Sequence, residues 1–325
     1  MDKESVVLGI DTSNYTTSLA MMDLHGKLVT DERRVLSVKE GMVGLRQSEA
    51  LFQHIKGLPV ICKTMAEGCT PFKIVAISSA VKPRPLENSY MPVFVAAESF
   101  GSTMSTLWNL PFYEFSHQEG HIMAGLWSLG LQLNKPFMAL HISGGTTEVL
   151  SIIPKKIGFE IEIIGGTSDL SAGQFIDRIG VKLNLPFPAG AHMEKIIDIN
   201  NVKDINIPVS VKDTFISFSG PETFVQRRLK DDFKASDIIY STFQSVAKSL
   251  YLLIKNSLKK YDYKDILVAG GVASNKIIKN FLEEKLQSEG LNLYFGTSKY
   301  CSDNAVGIAA LGVDGYLQQN KMKLG

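Results

Sequence analysis

An α/β chain of two lobes built on one plan is predicted by three features of the 325 residues. An apolar strand, a polar turn, a Thr-Thr pair and a second strand open the sequence, and the same phrase returns at residue 137. Each copy is followed by helix-period segments and a further buried strand, the alternation that marks α/β layering. Recurrence of a whole phrase marks a duplicated unit rather than a chance motif. The first lobe is expected over 1–125 and the second, with helical insertions, over 126–325, with the last helix able to pack back on the first lobe.

The elements follow in order. VVLGID reads as a strand, TSNY as a polar turn and TTSLAMMD as a second strand. A glycine turn at DLHG then leads into a third strand, KLVTDERRVL. GLRQSEALFQHIKGLPVICKTMAE has helical period, KIVAISSA reads as a buried strand, and VFVAAESFGSTMSTLWNL is again helical. The second copy runs FMALHIS, GG, TTEVLSII, a PKK turn and GFEIEIIGG, its first turn shorter by two residues. STFQSVAKSLYLLIKNSLKKY, DILVAGG and NKIIKNFLEEKLQSE repeat helix, strand and helix.

This duplicated plan is typical of the actin/Hsp70/sugar-kinase (ASKHA) architecture, with RNase H-like lobes and a nucleotide in the cleft between them. Small residues after the first strand of a lobe let backbone amides approach phosphates. SGG at 143–145 suits that role, although such a pair also makes an ordinary tight turn. DTSNY (11–15) is the corresponding loop of the first lobe, with Asp11 available to a phosphate-bound cation or water. VAGGVASNK (268–276) is a second glycine element, read equally as a ligand loop or a strand–helix turn.

SHQEGHIMAG (116–125) places His117 and His121 four residues apart, on one face of a helix. A zinc protease needs H-E-x-x-H, whereas Glu119 stands two places after His117, roughly 200° around the helix at ~100° per residue. A metalloprotease is therefore disfavoured. Asp303, in SDNAVGIAALG (302–312), reads either as a helix N-cap or as the carboxylate that completes a metal site with the two histidines. Two imidazoles and one carboxylate with open positions suit iron, zinc or manganese.

Composition narrows the partners. Hydrophobic residues make up 45% and charged residues 21%, with a net charge of +1, so a lone grip on nucleic acid is not expected. QRRLKDDFK (226–234) and KNSLKKYDYK (255–264) are the densest basic runs, the second read as a solvated helix face. Cys62, Cys69 and Cys301 form no CxxC pair, which suggests neither a disulfide framework nor a thiolate zinc site. No apolar run reaches membrane-spanning length and the N-terminus lacks a signal-peptide pattern. No membrane association and a cytoplasmic location are the expectations.

Six motifs, in order from about residue 112 onward, resemble the TsaD/Gcp family, which makes threonylcarbamoyladenosine in tRNA and was formerly called O-sialoglycoprotein endopeptidase. H-x-x-G-H is similar to His117-Gln118-Glu119-Gly120-His121, and V-S-G-G-x-T to Ile142-Ser143-Gly144-Gly145-Thr146-Thr147. DLSAGQFIDRIGVKLNLPFPAGAHMEK (169–195), ISFSG (216–220), GGVASN (270–275) and Cys301-Ser302-Asp303-Asn304 match the rest. The resemblance implies His117, His121 and Asp303 as ligands of one divalent metal (iron, zinc or magnesium). It implies Ile142, Ser143, Gly144 and Gly145 around the phosphates of ATP or threonylcarbamoyl-adenylate. Asp177, Gly190, Glu194 and Asn275 would contact the adenosine part.

The resemblance also implies a carbamoyl transfer to an adenosine of tRNA, with a smaller paralogous subunit and an ATPase or kinase as partners, and a possible homodimer. Departures concentrate in the first hundred residues, where DTSNYTT replaces E-T-S-C-D-E/D-T and SSAVKPRPLENSY (78–90) replaces a G-P-G run. Glu222 and Gln174 stand where the family has Lys and Glu. A divergent paralogue is expected, either a transferase-like enzyme or a non-catalytic nucleotide-binding subunit for assembly or regulation. A sugar kinase shares the fold, but no catalytic base loop stands out.

Overall fold

A computed structural model describes residues 4–324 except 14, 39–44, 69–70, 230 and 232. It divides into two compact units. The first comprises 1–134, 154–160 and 302–325, and the second 135–153 and 161–301.

In the first unit, β1 (Glu4–Thr12), β2 (Thr16–Asp23) and β3 (Leu28–Val35) form an antiparallel meander. β4 (Phe72–Lys82) and β5 (Phe112–Ser116) extend it in parallel, giving the order β3-β2-β1-β4-β5. β1 is a continuous apolar run because both of its faces are covered, as a central parallel strand requires. Leu58 and Ile61 of α1 (Gln47–Gly68) and Ala96 and Ala97 of α2 (Phe94–Trp108) join Leu8, Ile10 and Leu19 in one buried cluster. α10 (Val306–Leu324) also packs on β1 and β4, where Ser78 Oγ donates to the Ile308 carbonyl at 2.8 Å. The final helix thus belongs to the first unit.

α3 (His117–Ser128) crosses α10 at very short range: a Cβ on Gly307 would overlap the Gly120 carbonyl. Only glycine permits this approach, and it brings the start of α3 beside the residues preceding α10.

The second unit repeats the order. β6 (Phe137–Ile142), β7 (Thr147–Pro154) and β8 (Phe159–Thr167) run beside β11 (Asp265–Ala269) and β12 (Asn292–Phe295). The segment β8-β7-β6-β11-β12 has the same sequence of neighbours as the first sheet. The short strands β9 (Val211–Lys212) and β10 (Phe215–Ile216) extend its edge. α4 (Ala172–Lys182), α5 (Gly190–Ile196), α6 (Ser219–Arg228), α7 (Ala235–Leu258) and α8 (Lys276–Gln287) complete the layers, with the short α9 (Ser298–Cys301). Phe175, Phe218, Phe243 and Leu250 are fully buried at the centre.

The two strand-joining turns correct the sequence reading. The second is not shorter: Thr12 pairs with Thr17 and Ile142 with Thr147, so four residues intervene in each. Ser13 N donates to the Thr16 carbonyl at 3.1 Å and Ser143 N to the Thr146 carbonyl at 2.8 Å. The serine after each strand belongs to the turn because its amide closes it.

Candidate metal centre

The first helical residue of α3 is His117, and the helix starts there for a local reason. Ser116 Oγ accepts from Glu119 N, while Glu119 Oε2 accepts from Ser116 N and Oγ, each at 2.8 Å. This capping box satisfies amides that the first turn leaves open. Glu119 Oε1 also accepts from Phe159 N at 3.3 Å. The buried Glu119 carboxylate is thus committed to the cap, and the geometry of a metalloprotease base is absent.

The two imidazoles face each other, with Nε2 atoms 3.0 Å apart and ring planes 71° apart. Asp303 Oδ1 lies 3.6 Å from His117 Nε2 and 3.4 Å from His121 Nε2. One donor atom from each of the three residues falls within a 4.8 Å span. Asp303 does not cap α10; Asn304 Oδ1 accepts from Val306 N at 2.9 Å and takes that role. A capping carboxylate would face its own helix, whereas that of Asp303 faces α3.

Asp11, expected at a phosphate-bound cation or water, is buried at the end of β1, and its Oδ2 stands 2.7 Å from His117 Nδ1. A carboxylate only accepts, so Nδ1 carries the hydrogen and Nε2 is left toward His121 and Asp303. Asp11 Oδ1 is buried without a hydrogen-bond partner. Burial opposes charge on His117, but Asp11 and then Asp303 hold its pKa well above the usual imidazole value. Burial likewise opposes ionisation of Asp303, while its bonds to His117 and His121 hold its pKa well below the carboxylate range. Two clustered carboxylates need a positive group nearby, and a divalent cation meets that need. Two imidazole nitrogens and one carboxylate oxygen are also the donor types such an ion takes, so the residues present fit a metal.

The other predicted residues lie in the second unit. Ser143 Oγ accepts from Thr146 N at 3.0 Å, and Gly144 and Gly145 are exposed with no atoms near an added Cβ. The cap of α4 abuts this turn, with Ser171 Oγ donating to the Gly144 carbonyl at 2.7 Å. Buried Ile142 ends β6. Asp177 accepts from Ala189 N at 2.7 Å and from Gly190 N, at the start of α5. Burial pushes its carboxyl pKa up against those two bonds. Glu194 accepts from Asn275 Nδ2 at 3.2 Å and Lys276 N at 3.1 Å. Asn275 caps α8 through Ile277 N and Ile278 N, after a 3-10 turn at Gly271–Ser274.

Sequence reasoning missed Ser13, whose Oγ lies 2.5 Å from Asp303 Oδ2, and the buried His54 behind it. The DTS tripeptide at a strand end was the available signal for Ser13; a single histidine inside α1 gave none. Burial pushes the Cys62 thiol up to about 11 and the Cys301 thiol up as well; Cys69 lies outside the described residues. Among the described residues, no helix is long and apolar enough to cross a membrane.

Residues 44–310 match the model of the TsaD family, tRNA N6-adenosine threonylcarbamoyltransferase. The chain belongs to the TsaD family. Its resemblance to a tRNA N6-adenosine threonylcarbamoyltransferase of Thermosipho melanesiensis is 30% identity over 317 residues, 94% of each chain. Among solved structures, HypF of T. kodakarensis is similar at a TM-score of 0.63 and 13% identity, over 98% of this chain and 48% of that one. A ROK family glucokinase from Streptomyces griseus matches at 0.54 and 10% identity, over 94% of this chain and 99% of that one. These likenesses place this TsaD-family chain in the actin/Hsp70/sugar-kinase fold class.

Proposed function

We propose that this chain is a threonylcarbamoyl transferase-like enzyme acting on an adenosine of tRNA, with a divalent metal held by His117, His121 and Asp303. The observation that carries the reading is the convergence of three donor atoms from α3 and the segment preceding α10 within 4.8 Å, in a chain of this family. A metal in that place supplies Lewis-acid polarisation of a carbonyl or phosphate oxygen. The protein's part is orientation. Asp11 fixes the ring nitrogen that His117 presents, as a carboxylate behind a ligating imidazole generally does. The partial exposure of the His117 and Asp303 side chains leaves an approach for substrate.

ATP or threonylcarbamoyl-adenylate is assigned to the second unit, with its phosphates at Ile142, Ser143, Gly144 and Gly145 and its adenosine toward Asp177, Gly190, Glu194 and Asn275. Exposed glycine backbone beside a helix N-terminus supports this assignment. RNA binding is assigned partly to other subunits, a smaller paralogue and an ATPase or kinase. Several basic groups here are already neutralised, including Lys248 by Asp204, Arg228 by Asp231 and Lys255 by Glu289. A cytoplasmic site of action fits a tRNA substrate.

The test supplies threonylcarbamoyl-adenylate and unmodified tRNA to the purified chain, alone and with those partner subunits, and follows threonylcarbamoyladenosine by mass spectrometry. Metal-dependent product is expected. Adenine-nucleotide binding without product under any combination would instead identify a non-catalytic subunit.

A further inference from the structure

We infer that Ser13 and His54 are positioning residues that fix Asp303 as a one-oxygen metal ligand. The inference rests on the metal reading above and extends it to two residues with no chemistry of their own.

The geometry runs from the core outward. His54 of α1 is fully buried. Its Nε2 lies 2.7 Å from the Ser13 carbonyl and its Nδ1 2.8 Å from Thr17 Oγ1. A carbonyl only accepts, so Nε2 carries the ring hydrogen and Nδ1 accepts from the Thr17 hydroxyl. Burial lowers the His54 pKa, against its bond to Ser13 and the charge of Asp11. A neutral ring with this one tautomer satisfies both neighbours.

The ring therefore locks the backbone of Ser13, directly after β1. The Ser13 hydroxyl has two acceptors in reach, Asp303 Oδ2 at 2.5 Å and the Thr16 carbonyl at 3.4 Å. The shorter contact is to a carboxylate and prevails, since charge-assisted hydrogen bonds are the stronger kind. Oδ2 is thereby occupied, and Oδ1 is the oxygen that faces the two imidazoles. Asp11, two residues before Ser13, holds His117 from the same strand end. One tripeptide thus orients two of the three ligands, and α1 anchors it through His54. A merely packed histidine would need only shape and two bonds; here one of those bonds sets the residue that grips a ligand.

Cobalt(II) alone is the probe, titrated into the full chain freed of metal, with affinity and visible absorption recorded. Ser13→Ala is expected to weaken cobalt binding roughly 10–100-fold, the usual cost of losing an outer contact to a ligand. Its visible bands should also weaken, because a freed carboxylate can turn to bind through both oxygens and raise the coordination number. The melting temperature of the metal-free variant should stay near that of the parent. His54→Asn should weaken binding by a smaller factor, and in the Ser13→Ala background it should add less than about twofold, since it acts through the lost hydroxyl. Cobalt affinity and spectrum unchanged in Ser13→Ala would overturn the inference even if His54→Asn failed to fold. So would losses that simply multiply in the double variant. Should the parent bind no cobalt, or bind it equally after His121→Ala, the metal reading itself falls. Loss in His121→Ala with none in Ser13→Ala overturns only the positioning role.

Discussion

The two units use the same strand order and the same four-residue turn after the first strand, yet the turns have opposite characters. At Ser13–Thr16 in the first unit, the entering residues Asp11, Thr12 and Ser13 are buried and tied to α1, α2, α3 and the approach to α10. At Ser143–Thr146 in the second, the two glycines are exposed and the side-chain bonds are local or to the α4 cap. Backbone geometry is common to both; what differs is whether the turn presents side chains or backbone. A metal needs fixed side-chain donors, and a phosphate is met well by bare amides. Under the proposed function, one architecture would serve a side-chain site in one copy and a backbone site in the other.

Breaking the side-chain site should give the largest effect. His121→Ala removes one of three donors, and metal content should fall by more than the roughly 10–100-fold expected for an outer contact. Glu119→Gln is the matched control on the same helix. Its carboxylate serves the cap, so metal content should be retained while stability drops by about 0.5–2 kcal/mol. Elemental analysis and thermal melts separate the two. Full occupancy in His121→Ala, or metal loss in Glu119→Gln, would reverse the roles assigned here.

Two glycines sharpen the contrast at the next level of effect. A Cβ at Gly307 meets the backbone of Gly120 and Ala124, whereas a Cβ at Gly144 meets no atom within 4 Å. Gly307→Val should cost about 1–3 kcal/mol or more by forcing α3 from α10, and should weaken metal binding with it. Gly144→Val should melt like the parent but lose adenine-nucleotide affinity, because the side chain occupies the approach to the amides. Calorimetry of nucleotide binding decides this; undiminished affinity would remove the turn from the nucleotide site.

How much of this was legible in the sequence depends on chain distance and element length. The three-strand meanders, the long helices and the central strands were readable because their periodicity is strong and local. β5, β9, β10 and β12 were not picked out, since strands of two to five residues carry little pattern. The histidine pair was visible in five consecutive residues. Asp303 joins it from 182 positions beyond His121, and without the family resemblance it read equally well as a cap. Ser13 is marked only by its place in DTS at a strand end and His54 by nothing local, because their roles consist of contacts with other elements.

The smallest expected effect lies beside the backbone turn. Asp169 precedes α4 and accepts from Ser217 Oγ at 2.6 Å, Leu170 N at 2.6 Å, Phe218 N at 2.8 Å and Ser219 N at 3.3 Å. It thereby ties the start of α6 to the segment that caps against Gly144. Burial opposes its charge, but these four donors hold its carboxyl well below the usual range. A depressed folded pKa means that the stabilisation is fully present above the unfolded value near ~3.9 and is lost as pH falls through the folded value. Because Asp169 is exposed, solvent screens the effect, and Asp169→Asn should lower the melting temperature by no more than roughly 2–4 °C at neutral pH. Below about pH 4 the gap between parent and variant should narrow, since the unfolded chain then takes up a proton at this carboxylate that the folded parent does not. Melting curves from pH 7 to pH 3 are the measurement. A gap that stays constant across that range would show that Asp169 acts through shape and bond count, not charge.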